Sequence, residues 1–126
     1  YNCSDSTRND YKEYHGARSA LNDAHHHVQT ASLLFEAYLG HKPYFNKKII
    51  QNVHYGLNMD QAFYENGEVY FGDGDYLFYP MVSLDVVAHE IAHGFTEEYG
   101  SNTPKSMLTG QARAINEAFS DMAGEA

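Results

Sequence analysis

Residues 89–93 read HEIAH and place two histidines four positions apart. Residues i and i+4 of an α-helix project from the same face, so His89 and His93 can reach one metal ion while Glu90 stands beside it. The same spacing also occurs by chance on solvated helices. A solvated face is excluded here, because this helix is apolar almost all round and should be buried. The residues that make it so are Val86, Val87, Ala88, Ile91, Ala92 and Phe95.

A third metal ligand has to come from another segment. A histidine close behind the motif is excluded, because the extended pattern needs Gly and His where this chain has Thr96 and Tyr99. Glu97 is excluded as well, because at about 1.5 Å per residue it lies about 12 Å along the helix axis from His89.

A second helix downstream carries a matching stripe of acids. Residues 115–126 read INEAFSDMAGEA, with acids four positions apart at Glu117, Asp121 and Glu125. The HEIAH helix has a stripe of the same spacing at Asp85, His89 and His93. If the helices run antiparallel, a single register pairs His93 with Glu117, His89 with Asp121, and Asp85 with Glu125.

Each of these pairs predicts a different role. Glu117 completes a His-His-Glu set with a fourth position left for water, which is the open arrangement of a catalytic zinc site. Asp121 can accept the second ring N–H of His89 and fix its tautomer. Asp85 and Glu125 form an all-oxygen pair, which suits a calcium ion.

At these residues the chain resembles the thermolysin family of zinc metallopeptidases, in its pseudolysin-like and vibriolysin-like branch. The resemblance rests on VSLDVVAHEIAHGFTEEYG at residues 82–100 and on INEAFSDMAGEA, and it is densest over residues 70–126. It implies that Glu90 is the catalytic base and that Asp121 supports His89. It implies one catalytic zinc ion, held by His89, His93 and Glu117, and a structural calcium ion, held by Asp85 and Glu125.

The expected fold is α+β, with a mixed or antiparallel sheet that contains a hairpin and is followed by the zinc-binding helices. Residues 1–81 are expected to form an N-terminal α/β part. Residues 82–126 are expected to form the helical pair that begins a C-terminal domain, most of which is absent. The second helix is still helical in pattern at Ala126, and Tyr1 is not a start residue, so we expect a processed chain or a fragment.

The N-terminal part contains one predicted helix, over Asn22–Leu39, with Asn22 as its N-cap and Gly40 at its end. Its apolar residues recur at helical spacing: Val28, Ala31, Phe35 and Tyr38. Consecutive helical residues lie about 100° apart, so the run His25-His26-His27 cannot face one ion. We expect these histidines to have a packing role.

Strands follow this helix. Residues 47–56 have β-like content, and His54 is expected to be a half-buried strand residue. Asn66-Gly67 between two aromatic runs predicts a hairpin. Gly72-Asp73-Gly74-Asp75 does not continue as a calcium loop would, so it predicts a turn out of the hairpin.

The resemblance also assigns a role to residues 61–64, which correspond to the family's edge strand that binds peptide substrate as an added strand. Gln61, Ala62 and Phe63 are therefore the expected substrate-binding residues. The family usually has Asn in place of Gln61, which alters the side-chain contact but leaves the backbone contacts at Ala62. The alternative is an ordinary hairpin in a mixed sheet.

Composition narrows the function. The 126 residues amount to one domain, and 43% hydrophobic content can build a core. The net charge is −9 and the 8 Lys and Arg residues are scattered, which predicts no binding to nucleic acid or to an anionic membrane. No apolar run reaches the roughly 20 residues of a membrane span. The resemblance implies a secreted enzyme, which we expect to be a monomer.

Two features keep alternatives open. By the resemblance, Cys3 is either bonded to a cysteine upstream of Tyr1 or a free thiol. In the loop over residues 101–111, Leu108 occupies the position where the family has an active-site tyrosine. Tyr99 is not assigned that role.

The expected function is a zinc endopeptidase that hydrolyses internal peptide bonds of proteins, with Glu90 moving a proton from water to the leaving nitrogen. The alternative is a zinc-binding but inactive fragment or pseudoenzyme segment, because the family's oxyanion histidine lies beyond Ala126. A module without metal and a zinc aminopeptidase are further alternatives. The NEAFSD context opposes the aminopeptidase.

Overall fold

The structure is a computed structural model that describes residues 19–43, 48–75, 80–101 and 107–126. The predictions for residues 1–18, with both readings of Cys3, lie outside the described residues. In these ranges the chain forms three α-helices, a π-helical turn and a three-stranded sheet. The predicted α+β class is confirmed. No helix in these ranges is both long and apolar enough to cross a membrane.

The elements follow the chain in the order α1 (Ala20–Leu39), β1 (Ile50–Val53), β2 (Ala62–Glu65), β3 (Glu68–Phe71), α2 (Leu84–Thr96) and α3 (Gly110–Glu125). The π-helical turn, Glu97–Ser101, continues α2 and contains a non-helical residue at Gly100. Helix α3 begins at Gly110, five residues before the stretch at residues 115–126 that carries the acids.

The sheet is mixed, with β3 in the centre. Strand β1 pairs with β3 in parallel, and β2 pairs with β3 in antiparallel register, with Tyr64 opposite Val69. Asn66 (φ 52°) and Gly67 (φ 86°) both take the left-handed conformation that a tight two-residue hairpin turn requires. The predicted hairpin is confirmed, and β2 lies at one edge of the described sheet.

Helix α1 starts earlier than its sequence pattern indicated. Ser19 is the N-cap, and its hydroxyl accepts a hydrogen bond from the Asn22 backbone N–H at 3.3 Å. The prediction of Asn22 as N-cap is wrong because Ala20 and Leu21 already join the helix, which puts Asn22 in the first turn. The predicted end is confirmed, since Gly40 (φ 72°) closes the helix by bonding to the Glu36 carbonyl.

The buried face of α1 is made mostly of small residues, which lets α2 approach it: Ala20, Ala24, Val28, Ala31 and Phe35. Phe35 stacks on Phe95 of α2 with ring centroids 4.9 Å apart. Tyr38 was expected on this face but is 79% exposed. It lies one turn past Phe35, where the described part of the chain does not cover it.

The histidines of α1 contact the protein in different ways. The Nδ1 atom of His27 lies 2.7 Å from the Val82 carbonyl oxygen, and this contact links α1 to the segment before α2. This confirms the packing role for His27, whereas His26 is exposed. His54 is half-buried as predicted, but it follows β1 instead of lying in it, with φ 58° and Nδ1 2.5 Å from Asp73 Oδ1.

Helix α2 is buried as its composition predicted, with Val87, Ile91 and Ala92 fully inaccessible. Ser83 is its N-cap by position, but its side chain makes no capping hydrogen bond to the backbone. These residues belong to one core with Phe35, Val69 and Phe71. The core therefore includes residues from both sides of the expected division between residues 81 and 82, and that division stays a prediction.

Candidate active site

Helices α2 and α3 pack in antiparallel fashion, which brings three ligand atoms together. His93 Nε2 lies 3.1 Å from His89 Nε2, and Glu117 Oε2 lies 3.4 Å from each of these nitrogens. At the other end of the pair, a Cβ added to Gly124 would lie 2.9 Å from the Asp85 carbonyl oxygen. The backbones therefore touch at Gly124, and only glycine fits there.

The three atoms fit a tetrahedral metal ion. Ligand atoms held at about 2.0–2.1 Å from zinc in a tetrahedral site lie about 3.3 Å apart, close to the three distances between His89, His93 and Glu117. Among the His, Cys, Asp and Glu residues in the described part of the chain, these three form the group whose ligand atoms lie close enough together to hold one ion. Two imidazole nitrogens and one carboxylate are ligands typical of catalytic zinc.

The second ring nitrogen of His89 faces an acid on α3. His89 Nδ1 lies 2.9 Å from Asp121 Oδ1. A carboxylate only accepts, so Nδ1 carries the proton and Nε2 keeps its lone pair on the side of Glu117. The Asp121 side chain is 73% exposed, which makes this a surface contact.

The second ring nitrogen of His93 faces neutral groups in the interior. His93 Nδ1 lies 2.5 Å from Asn116 Oδ1 and 3.0 Å from Ser120 Oγ. His93 and Ser120 are fully buried, and Asn116 is nearly so. Sequence reasoning missed Asn116 and Ser120. The signal was available, because residues 116, 120 and 123 are small or neutral and share one face of α3.

Glu90 and β2 border the same cavity as the histidines. Glu90 is only 6% exposed, although it carries a carboxylate. The cavity has a volume of about 590 Å³, and its lining includes Gln61, Ala62, His89 and Glu90. The edge strand and the ligand helix therefore open onto one space. Phe63 is not among the lining residues; its ring stacks on Tyr70 with centroids 4.8 Å apart.

The lining of the cavity also includes four acids: Asp60, Asp85, Asp121 and Glu125. The Ser83 hydroxyl donates a hydrogen bond to Asp85 and lowers the pKa of that carboxyl group, and the Val86 backbone N–H acts in the same direction. Asp85 is therefore stabilised in its ionised form. Asp85 and Glu125 thus border the same cavity, and their pairing stays a prediction.

Tyr99 points away from this site. Its hydroxyl donates to the Lys42 carbonyl at 2.9 Å, and its ring lies 4.6 Å from that of Phe95. Burial raises the pKa of its hydroxyl. Leu108 is half-buried, and Pro104 of the same loop lies outside the described residues.

Comparison with known proteins gives consistent matches. The family model for the catalytic domain of thermolysin metallopeptidases matches residues 2–97. Over its whole length the chain is 42% identical to a neutral protease of Vibrio proteolyticus and 41% identical to a virulence metalloprotease of Vibrio anguillarum. It is also 36% identical, over 92% of its length, to the zinc metalloproteinase MspA of Legionella longbeachae.

These relatives are much longer. The chain spans about a fifth of their length: 20%, 20% and 22%. Among solved structures, the precursor of protealysin, a metalloproteinase from Serratia proteamaculans, matches with a TM-score of 0.71 and 31% identity. That match covers 83% of this chain and 33% of the other.

Proposed function

This chain belongs to the thermolysin metallopeptidase family, and on that premise we propose that it carries the zinc-binding core of an endopeptidase that hydrolyses internal peptide bonds of proteins. The observation that carries the proposal is the convergence of His89 Nε2, His93 Nε2 and Glu117 Oε2 at 3.1–3.4 Å, beside a buried Glu90.

The chemistry of the donor set supports zinc. With both Nδ1 atoms protonated, His89 and His93 turn two lone pairs toward each other and toward the Glu117 carboxylate. Three acceptors this close repel one another, and a metal cation between them would offset that repulsion. Zinc would supply a Lewis acid that polarises a carbonyl group and makes water a better nucleophile.

Glu90 is the residue we assign to proton transfer. The support for this role is that Glu90 follows His89 in the chain and borders the same cavity, where we propose that it takes a proton from an attacking water. It then returns that proton to the nitrogen of the leaving peptide.

Strand β2 is the element we assign to substrate binding. It pairs with β3 on one side, and residues 61 and 62 border the cavity that holds Glu90. An extended peptide can add to this edge through backbone hydrogen bonds at Ala62, with Gln61 as a side-chain contact. Phe63 would contribute mainly by fixing the strand through its stack on Tyr70.

We further propose that Asp85 and Glu125 bind a structural calcium ion. Both border the cavity, and the hydrogen bond from Ser83 lowers the pKa of Asp85 and so favours its ionised form. Oxygen ligands of this kind suit calcium better than zinc. We also propose that the protein is secreted and that the chain divides into two parts between residues 81 and 82. The family resemblance supports both of these proposals.

A second candidate is a chain that binds zinc without turnover. The observation that favours it is length, since the chain spans 20% of the neutral protease and of the virulence metalloprotease that it resembles. In that case the 126 residues would hold zinc through the three ligands, and hydrolysis would need groups that these residues do not supply.

The test is Glu90→Gln in the full chain, assayed with an internally quenched peptide after zinc loading. We expect the hydrolysis rate to fall about a hundredfold or more, because general base catalysis contributes that much. Zinc content should stay at one equivalent. Glu97→Gln is the control, since Glu97 lies on the π-helical turn and does not border the cavity.

Two outcomes separate the candidates. Hydrolysis at the original rate by Glu90→Gln would contradict the role of Glu90. If the unaltered chain holds one zinc ion and cleaves nothing, the candidate without turnover is correct.

A further inference from the structure

Thr96, Asn116 and His93 are joined by a closed circuit of three hydrogen bonds. The Thr96 hydroxyl donates to the His93 backbone carbonyl at 3.0 Å. Asn116 Nδ2 donates to Thr96 Oγ1 at 2.5 Å, and Asn116 Oδ1 lies 2.5 Å from His93 Nδ1. The circuit starts at the backbone of His93 and ends at its ring.

The direction of each bond follows from the first one. A hydroxyl has one proton, and Thr96 gives its proton to the His93 carbonyl. Thr96 Oγ1 can then only accept, so the NH2 group of Asn116 must face it. The amide oxygen of Asn116 is left facing His93 Nδ1, and an oxygen without a proton requires an N–H there.

This arrangement decides which nitrogen of His93 is available to a metal. A neutral imidazole has one N–H, so a proton on Nδ1 leaves the lone pair on Nε2. Nε2 is the atom that lies 3.1 Å from His89 Nε2 and 3.4 Å from Glu117 Oε2.

Ser120 cannot select the tautomer of His93. Its Oγ lies 3.0 Å from His93 Nδ1, but a hydroxyl can donate or accept and so satisfies either tautomer. Asn116 alone cannot select the tautomer either. A rotation of its side-chain amide by a half-turn would present the NH2 group to the ring and favour a proton on Nε2. The bond from Thr96 is what prevents that half-turn.

We propose that Thr96 is a positioning residue of the metal centre, which orients the Asn116 amide and thereby keeps the His93 Nε2 lone pair directed at His89 and Glu117. One part of the proposal rests on the proposed function, namely that a metal ion binds to the Nε2 lone pair. The hydrogen-bond circuit itself does not depend on it. The burial of His93, Asn116 and Ser120 strengthens the effect, because little water can replace a misdirected amide.

The test uses the full chain and three substitutions. Thr96→Val keeps the shape of the side chain and removes the hydroxyl, and Thr96→Ser keeps the hydroxyl. Thr30→Val is the matched control, because the Thr30 hydroxyl also donates to a carbonyl of its own helix, that of His26, at 3.1 Å. His26 is exposed and does not join the ligand set.

The first readout is the ¹⁵N imidazole spectrum of metal-free protein. We expect His93 to carry its proton on Nδ1 in the unaltered chain, in Thr96→Ser and in Thr30→Val, and to show a substantial Nε2–H population in Thr96→Val. A proton on Nε2 in the unaltered chain, or unchanged His93 signals in Thr96→Val, would overturn the proposal.

The second readout is the zinc dissociation constant, measured by competition with a chelator. We expect Thr96→Val to weaken binding about tenfold, the lower end of the effect of groups that orient a ligand, and Thr96→Ser to restore it. Equal affinity in Thr96→Val and the unaltered chain would overturn the proposal while leaving the proposed function intact. Absence of zinc binding by the unaltered chain would instead reject the proposed function, and the imidazole spectra would still decide the role of Thr96.

Discussion

His93 and His89 lie one turn apart on α2, yet their second ring nitrogens meet different surroundings. His93 is fully buried and contacts the amide of Asn116 and the hydroxyl of Ser120. The His89 side chain is 23% exposed and contacts Asp121, a carboxylate on the surface. Both arrangements place a proton on Nδ1, but one does so with neutral groups and the other with a charge.

The difference follows from the cost of burying charge. A second carboxylate beside Glu117 in the interior would have to lose its hydration, which costs several kcal/mol unless it is fully paired. An amide accepts the same hydrogen bond without that penalty. At the surface, Asp121 keeps most of its hydration, so a charged acceptor is tolerated there.

The largest expected effect comes from exchanging the buried acceptor for an apolar group of similar size. Asn116→Leu leaves the His93 N–H without its nearest acceptor, and we expect the free energy of unfolding to fall by about 1–3 kcal/mol. Zinc affinity should fall about tenfold to a hundredfold. Urea unfolding of the metal-free chain and chelator competition measure the two quantities.

Asp121→Leu is the matched change at the exposed histidine. We expect zinc affinity to fall here as well, by about tenfold. The free energy of unfolding should change by less than about 0.5 kcal/mol, because exposed ion pairs contribute little. Equal losses of stability in Asn116→Leu and Asp121→Leu would contradict the contrast between the two surroundings.

Salt provides a smaller and independent effect. Raising the ionic strength shortens the Debye length from about 10 Å at 0.1 M to about 3 Å at 1 M, which screens exposed charges far more than buried groups. The loss of zinc affinity caused by Asp121→Leu should therefore shrink at high salt. The loss caused by Asn116→Leu should stay the same, and a parallel decrease in both would argue against a neutral, buried acceptor.

The smallest effect is expected at the outer end of α2. The pKa of Asp85 is lowered in the folded state, so its carboxylate stabilises the fold above its unfolded pKa, and this is lost as the pH falls through the folded pKa. Asp85→Asn should reduce the free energy of unfolding near neutral pH by about 0.5 kcal/mol or less in calcium-free buffer. The difference should vanish at a pH well below about 3.9. A difference that persists in strong acid would mean that Asp85 acts through packing.

The helix register could be predicted from the sequence because it depends on simple geometry. Two stripes with four-residue spacing on a pair of antiparallel helices allow one register, and the contacts of His89 with Asp121 and of His93 with Glu117 follow it. The hairpin was predictable for a similar reason, since Asn66-Gly67 favours the left-handed turn that closes it.

Other features depend on neighbours that a sequence pattern does not reveal. Tyr38 lies on the apolar stripe of α1 but beyond the reach of α2, so it is exposed. On α3, the polar residues Asn116 and Ser120 are buried while Ile115 and Met122 are exposed, because the buried face meets a histidine ring. The acid spacing identified the ligand face of α3 but not the hydrogen-bond partners beside it.

The most direct test of the metal centre is zinc K-edge X-ray absorption on the zinc-loaded full chain. We predict one zinc ion per chain with two imidazole nitrogens and one carboxylate oxygen at about 2.0–2.1 Å. Fewer than two imidazoles around the ion, or no zinc retained at equimolar level, would contradict the convergence of His89, His93 and Glu117 on one ion.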